Sequence, residues 1–226
     1  MVDSELGMIP ESWKVCTPKE MAVHYIGGGW GKENYSDALQ PAFVIRGTDI
    51  PNARRNNISN SPLRYHTKSN LKDRCLSSGD IVMEVSGGSK GQPVGRPLLI
   101  TDELLNSFNG QQVICASFCK LYRCNSEKIS PYYLYLWLLE IYKNGVIERY
   151  QSQSTGIINF KFEYFVESSI VLVPDTETLK AFDKQIELIF KQINLLGRKI
   201  TVLRKTRDQL LPRLISGDID VSRIEP

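Results

Sequence analysis

The spacing of hydrophobic positions changes near residue 175. Before that point, short apolar runs are separated by clusters of Gly, Pro, Asn and Ser, which is typical of strands joined by turns. We expect strands at residues 43–46, 80–85, 98–100, 113–122 and 169–173. Strands and helices do not alternate strictly, which favours a mixed-sheet α+β domain over a doubly wound parallel sheet.

One helix is predicted inside this first region. Ser130 is a typical N-cap, Pro131 suits the first helical position, and residues 132–142 are dense in Leu, Tyr and Trp. Because apolar residues occur all round this helix, we expect it to be buried.

Beyond residue 175, apolar positions recur alternately three and four residues apart, which predicts one long helix with a heptad seam. Residues 179–210 would span roughly 48 Å as a helix. Asp175 or Thr176 can cap its start, and Pro212 is expected to limit its end. The seam positions are Leu179, Phe182, Ile186, Ile189, Ile193, Leu196, Ile200, Leu203, Arg207 and Leu210.

The apolar stripe of this helix is wider than a simple two-stranded coil requires. A second column, Leu188, Leu195 and Val202, lies beside the seam, so a further helical partner is implied. A third column is basic and consists of Lys184, Lys191, Arg198 and Lys205. The alternative is that the helix packs back on its own globular domain.

Charges beside the seam favour an antiparallel pair of helices. A parallel pair would place Lys199 beside Arg204 of the partner, which is repulsive. With a two-fold axis near residues 193–195, Asp183 would instead face Arg204 of the partner, and Phe190 would face Gly197 of the partner. We therefore expect an antiparallel homodimer.

The composition is that of a soluble globular protein, with 42% hydrophobic and 23% charged residues. No apolar stretch is long enough to cross a membrane, and no signal peptide is evident, so we expect a cytoplasmic protein with reduced cysteines.

The net charge of +3 is unevenly placed. Residues from 179 onward hold ten Lys and Arg against six Asp and Glu, and residues 46–74 hold seven basic side chains against two acidic ones. Such local basic patches suit a limited contact with a phosphate backbone, although solvated charged loops are more common.

Signatures of enzymes are mostly absent. The sequence lacks the nucleotide-binding glycine motifs, the zinc-protease helix motif and the nucleophile elbow. His24 and His66 are isolated, and Cys115, Cys119 and Cys124 lack the spacing of a zinc site, so core packing is the better interpretation of these residues. We predict no catalytic residue, no metal and no cofactor.

Three glycine-rich polar loops, at residues 27–31, 86–96 and 153–159, carry basic and amide side chains. Glycine lets a backbone approach a phosphate closely. Lys90 and Arg96 supply charge, and Gln92 or Asn159 can hydrogen-bond a base edge. Each loop alone is equally well explained as an ordinary turn.

In their order along the chain, several segments resemble the specificity (DNA-recognition) subunits of type I restriction-modification systems. These segments are residues 6–13 (LGMIPESW), 27–29 (GGG), 45–50 (IRGTDI), 78–83 (SGDIVM), 154–156 (STG) with Asn159, and 210–221 (LLPRLISGDIDV). The resemblance implies one target-recognition domain at residues 1–175, followed by a conserved helical segment at residues 176–226 that dimerises and docks methylation subunits. Members of the family usually contain two copies of each, so this chain looks like a half-subunit.

The resemblance and the loops together give a set of candidate sites. DNA contacts are expected from Arg46, Thr48, Ser86, Lys90, Gln92, Arg96, Thr155, Asn159 and Lys161. Dimerisation is expected from Leu179, Phe182, Ile186, Ile189, Ile193, Leu196, Ile200, Leu203 and Leu210, and docking of methylation subunits from Leu188, Leu195 and Val202. Restriction subunits would join through the methylation subunits.

Two other classes of function stay open. The chain could be a coiled-coil adaptor whose globular domain binds protein, which salt-dependent DNA affinity would distinguish. It could also be a fragment of a DNA methyltransferase or nuclease, which activity with a methyl donor or a divalent metal would reveal.

Overall fold

A computed structural model describes residues 1–87, 92–154 and 156–219 of the chain. The strands are β1 (Lys14–Cys16), β2 (Ala22–Gly27), β3 (Leu39–Ile45), β4 (Leu63–Thr67), β5 (Ile81–Glu84), β6 (Ser86–Gly87), β7 (Pro97–Leu99), β8 (Gln112–Cys115), β9 (Cys119–Cys124), β10 (Gln151–Ser154), β11 (Ile157–Phe160) and β12 (Val171–Val173). The helices are α1 (Pro18–Met21), α2 (Ile50–Ala53), α3 (Lys68–Arg74), α4 (Asp102–Asn106), α5 (Pro131–Lys143), α6 (Phe162–Ser168) and α7 (Thr176–Ile215), with 3-10 turns at Gly47–Asp49 and Val146–Tyr150.

Two sheets form the centre of the globular part. One is antiparallel, with strand order β2-β9-β5-β7. The other is mixed, with order β4-β3-β8, in which β3 pairs antiparallel with β4 and parallel with β8. Two smaller sheets, β1-β12 and β10-β11-β6, flank them. The mixed α+β class expected from the sequence is confirmed.

Strand alternation distributes the core into layers, because successive side chains of a strand point to opposite faces. In β5, Ile81 and Met83 pack in a cluster with α5 and α6, whereas Val82 faces the mixed sheet. In β3, Ile45 faces the antiparallel sheet, whereas Val44 packs on the opposite side with α3. The order of layers is therefore α5 and α6, antiparallel sheet, mixed sheet, α3.

The single strand predicted at residues 113–122 is wrong. Strands β8 and β9 occupy this segment and belong to different sheets. A turn separates them, in which the Ala116 N–H donates to Ile45 O at 2.9 Å and the Cys119 N–H donates to Ala116 O at 2.8 Å. Cys115 and Cys119 nonetheless pack in one core cluster, and all five cysteines are free.

Helix α5 forms where the sequence predicts it. Ser130 caps it by accepting a hydrogen bond from the Tyr133 N–H at 3.2 Å, and Pro131 occupies its first position. The side chains of Leu134, Tyr135 and Leu138 are buried.

Helix α7 contains 40 residues, which corresponds to about 60 Å. Asp175 caps its start by accepting from the Thr178 N–H at 2.9 Å. The expectation that Pro212 limits the helix is wrong, because the helix continues to Ile215. Pro212 instead contributes its carbonyl to the last turn, where the Ser216 N–H donates to it at 2.9 Å.

The first half of α7 packs on the globular part. Leu179 is buried, and the ring of Phe182 makes an edge contact with Tyr133 at 5.6 Å. The ring of Phe190 contacts those of Tyr132 and Tyr135 at 5.1 and 5.9 Å. The alternative that the helix packs back on its own domain therefore holds for this half.

Hydrogen bonds of Asn194 and a close backbone approach at Gly197 hold the same face of the helix against the globular part. Asn194 is buried, and its side chain donates to Glu103 Oε2 at 3.1 Å and to Thr101 Oγ1 at 3.3 Å. Gly197 lies against the backbone of Arg55. From Arg198 to Asp218 every residue is exposed. About 27 Å of helix therefore extends beyond Gly197, the last buried residue of α7.

These contacts correct part of the predicted dimer. Leu179 and Phe182 are covered by their own chain and cannot form an exposed seam with a partner. Phe190 and Gly197, expected to face each other across the dimer, both contact the globular part of the same chain. Asp183, expected to face Arg204 of the partner, accepts a hydrogen bond from Ser130.

None of the described helices is both long and apolar enough to span a membrane.

Candidate nucleic-acid interface

A cleft of about 650 Å³ opens where the ends of β3, β5 and the β8–β9 turn meet. Five predicted DNA-contacting residues line it, namely Arg46, Thr48, Ser86, Gln92 and Arg96. These residues come from three separate segments of the chain, so the fold brings together side chains that the sequence places up to 50 positions apart. The remaining lining residues are Trp30, Gly47, Glu84, Gly87, Ala116, Ser117 and Phe118.

The turn after β3 supplies Arg46 and Thr48. Asp49 Oδ2 accepts from the Arg46 N–H and from Arg46 Nε, both at 2.9 Å, and Asp49 Oδ1 accepts from Arg46 Nη2 at 2.9 Å. This hydrogen-bonded carboxylate raises the pKa of Arg46. Thr48 is exposed at the tip of the turn.

Arg96 is buried in a paired arrangement with Glu84. Its Nε and Nη2 atoms each donate to a separate Glu84 carboxylate oxygen at 2.8 Å, and the hydrogen bond to Glu84 raises the pKa of Arg96. When the amide oxygen of Gln92 faces Arg96, it accepts from Nη1 at 2.7 Å. Antiparallel pairing of β5 with β7 places the two partners opposite each other, and the Glu84 N–H donates to Arg96 O at 3.1 Å.

Gly47 lets the Arg46 turn rest on this ion pair. A Cβ atom at position 47 would lie 2.5 Å from Glu84 Oε1, which no real Cβ tolerates. Any side chain there would displace the carboxylate that neutralises Arg96.

The expectation that Arg46 and Arg96 contact phosphates or guanines conflicts with this geometry. Each guanidinium is already paired with a carboxylate through two side-chain hydrogen bonds. For the buried pair of Arg96 with Glu84, removing one partner costs about 3 to 5 kcal/mol. The two arginines therefore shape the cleft, and the charges on the described part of its wall are paired.

Asn159 lies beside the cleft and not in its wall. Strand β11 pairs with β6, with Asn159 opposite Ser86, and Ser86 Oγ donates to Asn159 Oδ1 at 2.6 Å. Lys161 is exposed at the start of α6. Lys90 and Thr155 lie outside the described residues.

The glycine-rich loop at residues 27–31 approaches the protein's own backbone, contrary to the expectation of a phosphate. The Gly28 N–H donates to Cys119 O and the Gly29 N–H to Cys115 O, both at 2.9 Å. A Cβ at Gly28 would lie 2.2 Å from Ala116 O. The loop thus supports the β8–β9 turn that forms one wall of the cleft.

Two aromatic residues in the cleft were not predicted. Trp30 is partly exposed, and the Arg64 guanidinium lies 4.6 Å from the centre of its ring. Phe118 is 61% exposed. The sequence assigned Phe118 to a strand interior, so nothing local indicated that its ring would face the cleft.

The basic segment at residues 46–74 is largely engaged within the chain. Besides Arg46, Arg54 Nη2 donates to Pro97 O at 2.5 Å, Arg64 pairs with Glu33 at 2.6 Å, and Arg74 Nε donates to Gly27 O at 2.9 Å. The other members, Arg55, Lys68 and Lys72, are exposed.

The second surface of interest is the uncovered apolar stripe of α7. Its seam members Ile189, Ile193, Leu196, Ile200, Leu203 and Leu210 are exposed, and Ile186 is half-buried. The predicted docking column, Leu188, Leu195 and Val202, is also exposed. Apolar surface of this length on a described helix indicates a binding surface for another protein.

Comparison with solved structures identifies the fold. A crystal structure of the S subunit of a type I restriction-modification system from M. genitalium superimposes with a TM-score of 0.58 at 14% identity, over 91% of this chain and 46% of that one. A chain from a study of complex assembly and conformational transition of the type I R-M system gives 0.53 at 11% identity, over 97% of this chain and 52% of that one.

The HsdS subunit from Thermoanaerobacter tengcongensis gives a TM-score of 0.51 at 11% identity, over 100% of this chain and 54% of that one. This chain thus spans about half the length of the chains it matches. No family model matches the sequence. No curated protein sequence matches it either. The fold implied by the resemblance of the sequence segments is confirmed.

Proposed function

We propose that this chain is a non-catalytic, sequence-specific DNA-recognition subunit of a type I restriction-modification complex. The observation that carries the proposal is the fold, which follows half of an S subunit over nearly the whole chain. The cleft, whose wall includes the predicted contact residues Thr48, Ser86 and Gln92, supports DNA recognition by the globular part. Direct readout would come from the polar groups of Thr48, Ser86, Gln92 and Asn159, with Lys161, Lys90 and Thr155 as further candidates.

Two copies of the chain would read one target. The exposed part of the α7 seam is self-complementary in an antiparallel pair whose two-fold axis passes between Thr201 and Val202. Each contact then joins an a position to a d position of the heptad, as the layers of an antiparallel coil require. The contacts are Ile189 with Leu214, Ile193 with Leu210, Leu196 with Arg207, and Ile200 with Leu203.

This axis differs from the one expected at residues 193–195. The shift follows from the intrachain packing, which removes Leu179 and Phe182 from the seam and leaves only its distal part free. It also moves the two globular parts further apart along the rod.

The column Leu188, Leu195 and Val202 lies about 100° round the helix from the nearest seam positions and stays exposed in such a pair. We propose that methylation subunits dock on this column and that restriction subunits join through them.

A two-fold symmetric dimer presents the same cleft twice in opposite orientations. Its target would therefore be a palindrome of two half-sites separated by an unread spacer.

A comparison of DNA methylation in cells with and without the gene tests this proposal. The expected result is loss of one bipartite palindromic motif, and in vitro the complex of this chain with methylation subunits should select the same motif from random duplexes. The affinity for that motif should fall steeply between about 50 and 200 mM salt. An unchanged methylome, together with no DNA affinity at the lower salt, would favour the coiled-coil adaptor.

A further inference from the structure

Phe118 presents an apolar ring on a backbone that is held in place. Its carbonyl accepts from the Val85 N–H at 2.8 Å and from the Ser86 N–H at 3.3 Å. The turn around it is closed by the bond from the Cys119 N–H to Ala116 O. The ring itself is mostly exposed. A large apolar side chain on a fixed turn loses little entropy on binding and thus suits a recognition contact.

Among the described residues, the charged side chains that line the cleft beside Phe118 are paired within the chain. The two guanidinium groups of the cleft, those of Arg46 and Arg96, are neutralised by carboxylates of the same chain. Trp30 also lines the cleft, and its ring lies 4.6 Å from the Arg64 guanidinium. The part of the ligand beside Phe118 should therefore be uncharged and apolar.

We propose that Phe118 is a specificity-determining residue that packs against the 5-methyl group of a thymine in each half-site. This inference rests on the proposed function of DNA recognition. Among the groups on the major-groove edges of base pairs, the thymine methyl is the apolar one, and phenylalanine is among the side chains that contact it. The polar groups of Ser86 and Gln92 line the same cleft and would bond the adjoining base edges.

The expected strength of the contact follows from the area of one methyl group. Burying one such group contributes about 0.8 kcal/mol, which corresponds to roughly a fourfold change in affinity. The effect is small for one position but specific, because it vanishes when the methyl group alone is removed.

The experiment uses the duplex selected by the wild-type complex and a series in which each thymine in turn is replaced by deoxyuridine. Wild type should lose about fourfold in affinity at one position of each half-site. The Phe118→Ala complex should bind the thymine duplex more weakly and show no further loss with uracil at that position. Phe118→Leu keeps an apolar side chain and should retain part of the discrimination.

Tyr164→Ala is the matched control, since Tyr164 is a similarly exposed aromatic residue outside the cleft. It should keep the full discrimination. Equal discrimination in wild type and Phe118→Ala, or none in wild type, overturns the inference while the DNA-reading function stands. If the wild-type complex binds no duplex, both the Phe118 inference and the proposed DNA-recognition function are overturned. This outcome is seen before any uracil is introduced, so the two failures are distinguishable.

Discussion

The α carbon of Gly197 in the long helix lies so close to the carbonyl of Arg55 that an added Cβ would be 2.2 Å from the oxygen. Here the backbone of α7 rests directly on the backbone of the globular part. Before Gly197 one face of the helix packs on the globular part, and from Arg198 to Asp218 every residue is exposed. Together with the bond from Arg198 Nη2 to Glu103 O at 2.9 Å, this approach marks where the helix leaves the globular part.

Replacing Gly197 with Ala should push the helix away from the loop after α2. We expect a loss of about 1 to 3 kcal/mol in the free energy of unfolding, as for overpacked sites, measured by chemical denaturation. Gly27→Ala is the control, because a Cβ at Gly27 meets nothing within 4 Å, and it should change stability by no more than about 0.5 kcal/mol. Equal effects of the two substitutions would contradict the role assigned to Gly197.

Glu84→Gln should destabilise the protein by about 3 to 5 kcal/mol, because it leaves the buried guanidinium of Arg96 without a counter-charge. The measurement is again the free energy of unfolding. Glu167→Gln breaks the exposed pair with Lys19 and should leave the free energy of unfolding nearly unchanged, because exposed ion pairs contribute little. A small effect at Glu84 would show that Arg96 is solvated and free to contact DNA.

Substituting both Ile200 and Leu203 with Glu should convert the dimer to monomers in sedimentation experiments. These residues form the layers nearest the proposed axis, where unpaired charges would be buried. Leu195→Glu, on the docking column, should leave the dimer intact and abolish co-purification with methylation subunits. A dimer that survives the double substitution would refute the axis between Thr201 and Val202.

Deleting residues 199–205 removes one heptad and preserves the a-to-d pairing of the remaining seam. The rod between the two globular parts should shorten by about 10 Å, equal to roughly three base pairs. Selection from random duplexes should then return the same half-sites with a shorter spacer. An unchanged spacer would mean that the helix pair does not set the distance between half-sites.

Stability should fall in mild acid because of His66. This side chain is buried, and burial lowers its pKa from the usual 6.5, with a smaller opposite contribution from a hydrogen bond to Asn70. The folded state thus favours neutral imidazole, whereas the unfolded chain takes up a proton. The contribution of neutral His66 to the free energy of unfolding is complete above about pH 6.5. It is lost as the pH falls from there through the pKa of His66 in the folded state.

The unfolding free energy of His66→Gln, measured between pH 7.5 and 5, should depend less on pH than that of wild type. If His66→Gln follows the wild-type curve, another group causes the acid sensitivity.

The sequence by itself determined those features that neighbouring residues specify. The Ser130 and Asp175 caps, the proline at the start of α5 and the three-four spacing after residue 175 identified both principal helices, because such signals act within one or two turns. The α+β class followed from the pattern of strand-like runs. The order of the segments indicated the fold that the solved structures confirm.

Only the tertiary structure decided what each charged or aromatic side chain faces. Arg96 is a plausible phosphate contact in the sequence, but β5 pairs with β7 and sets Glu84 opposite it. Phe118 is an ordinary strand residue in the sequence, but a turn exposes it in the cleft. The periodicity of α7 likewise predicted an apolar stripe without showing which half its own domain covers. In each case the deciding partner lies far away in the chain, and its position depends on sheet pairing and on how layers pack.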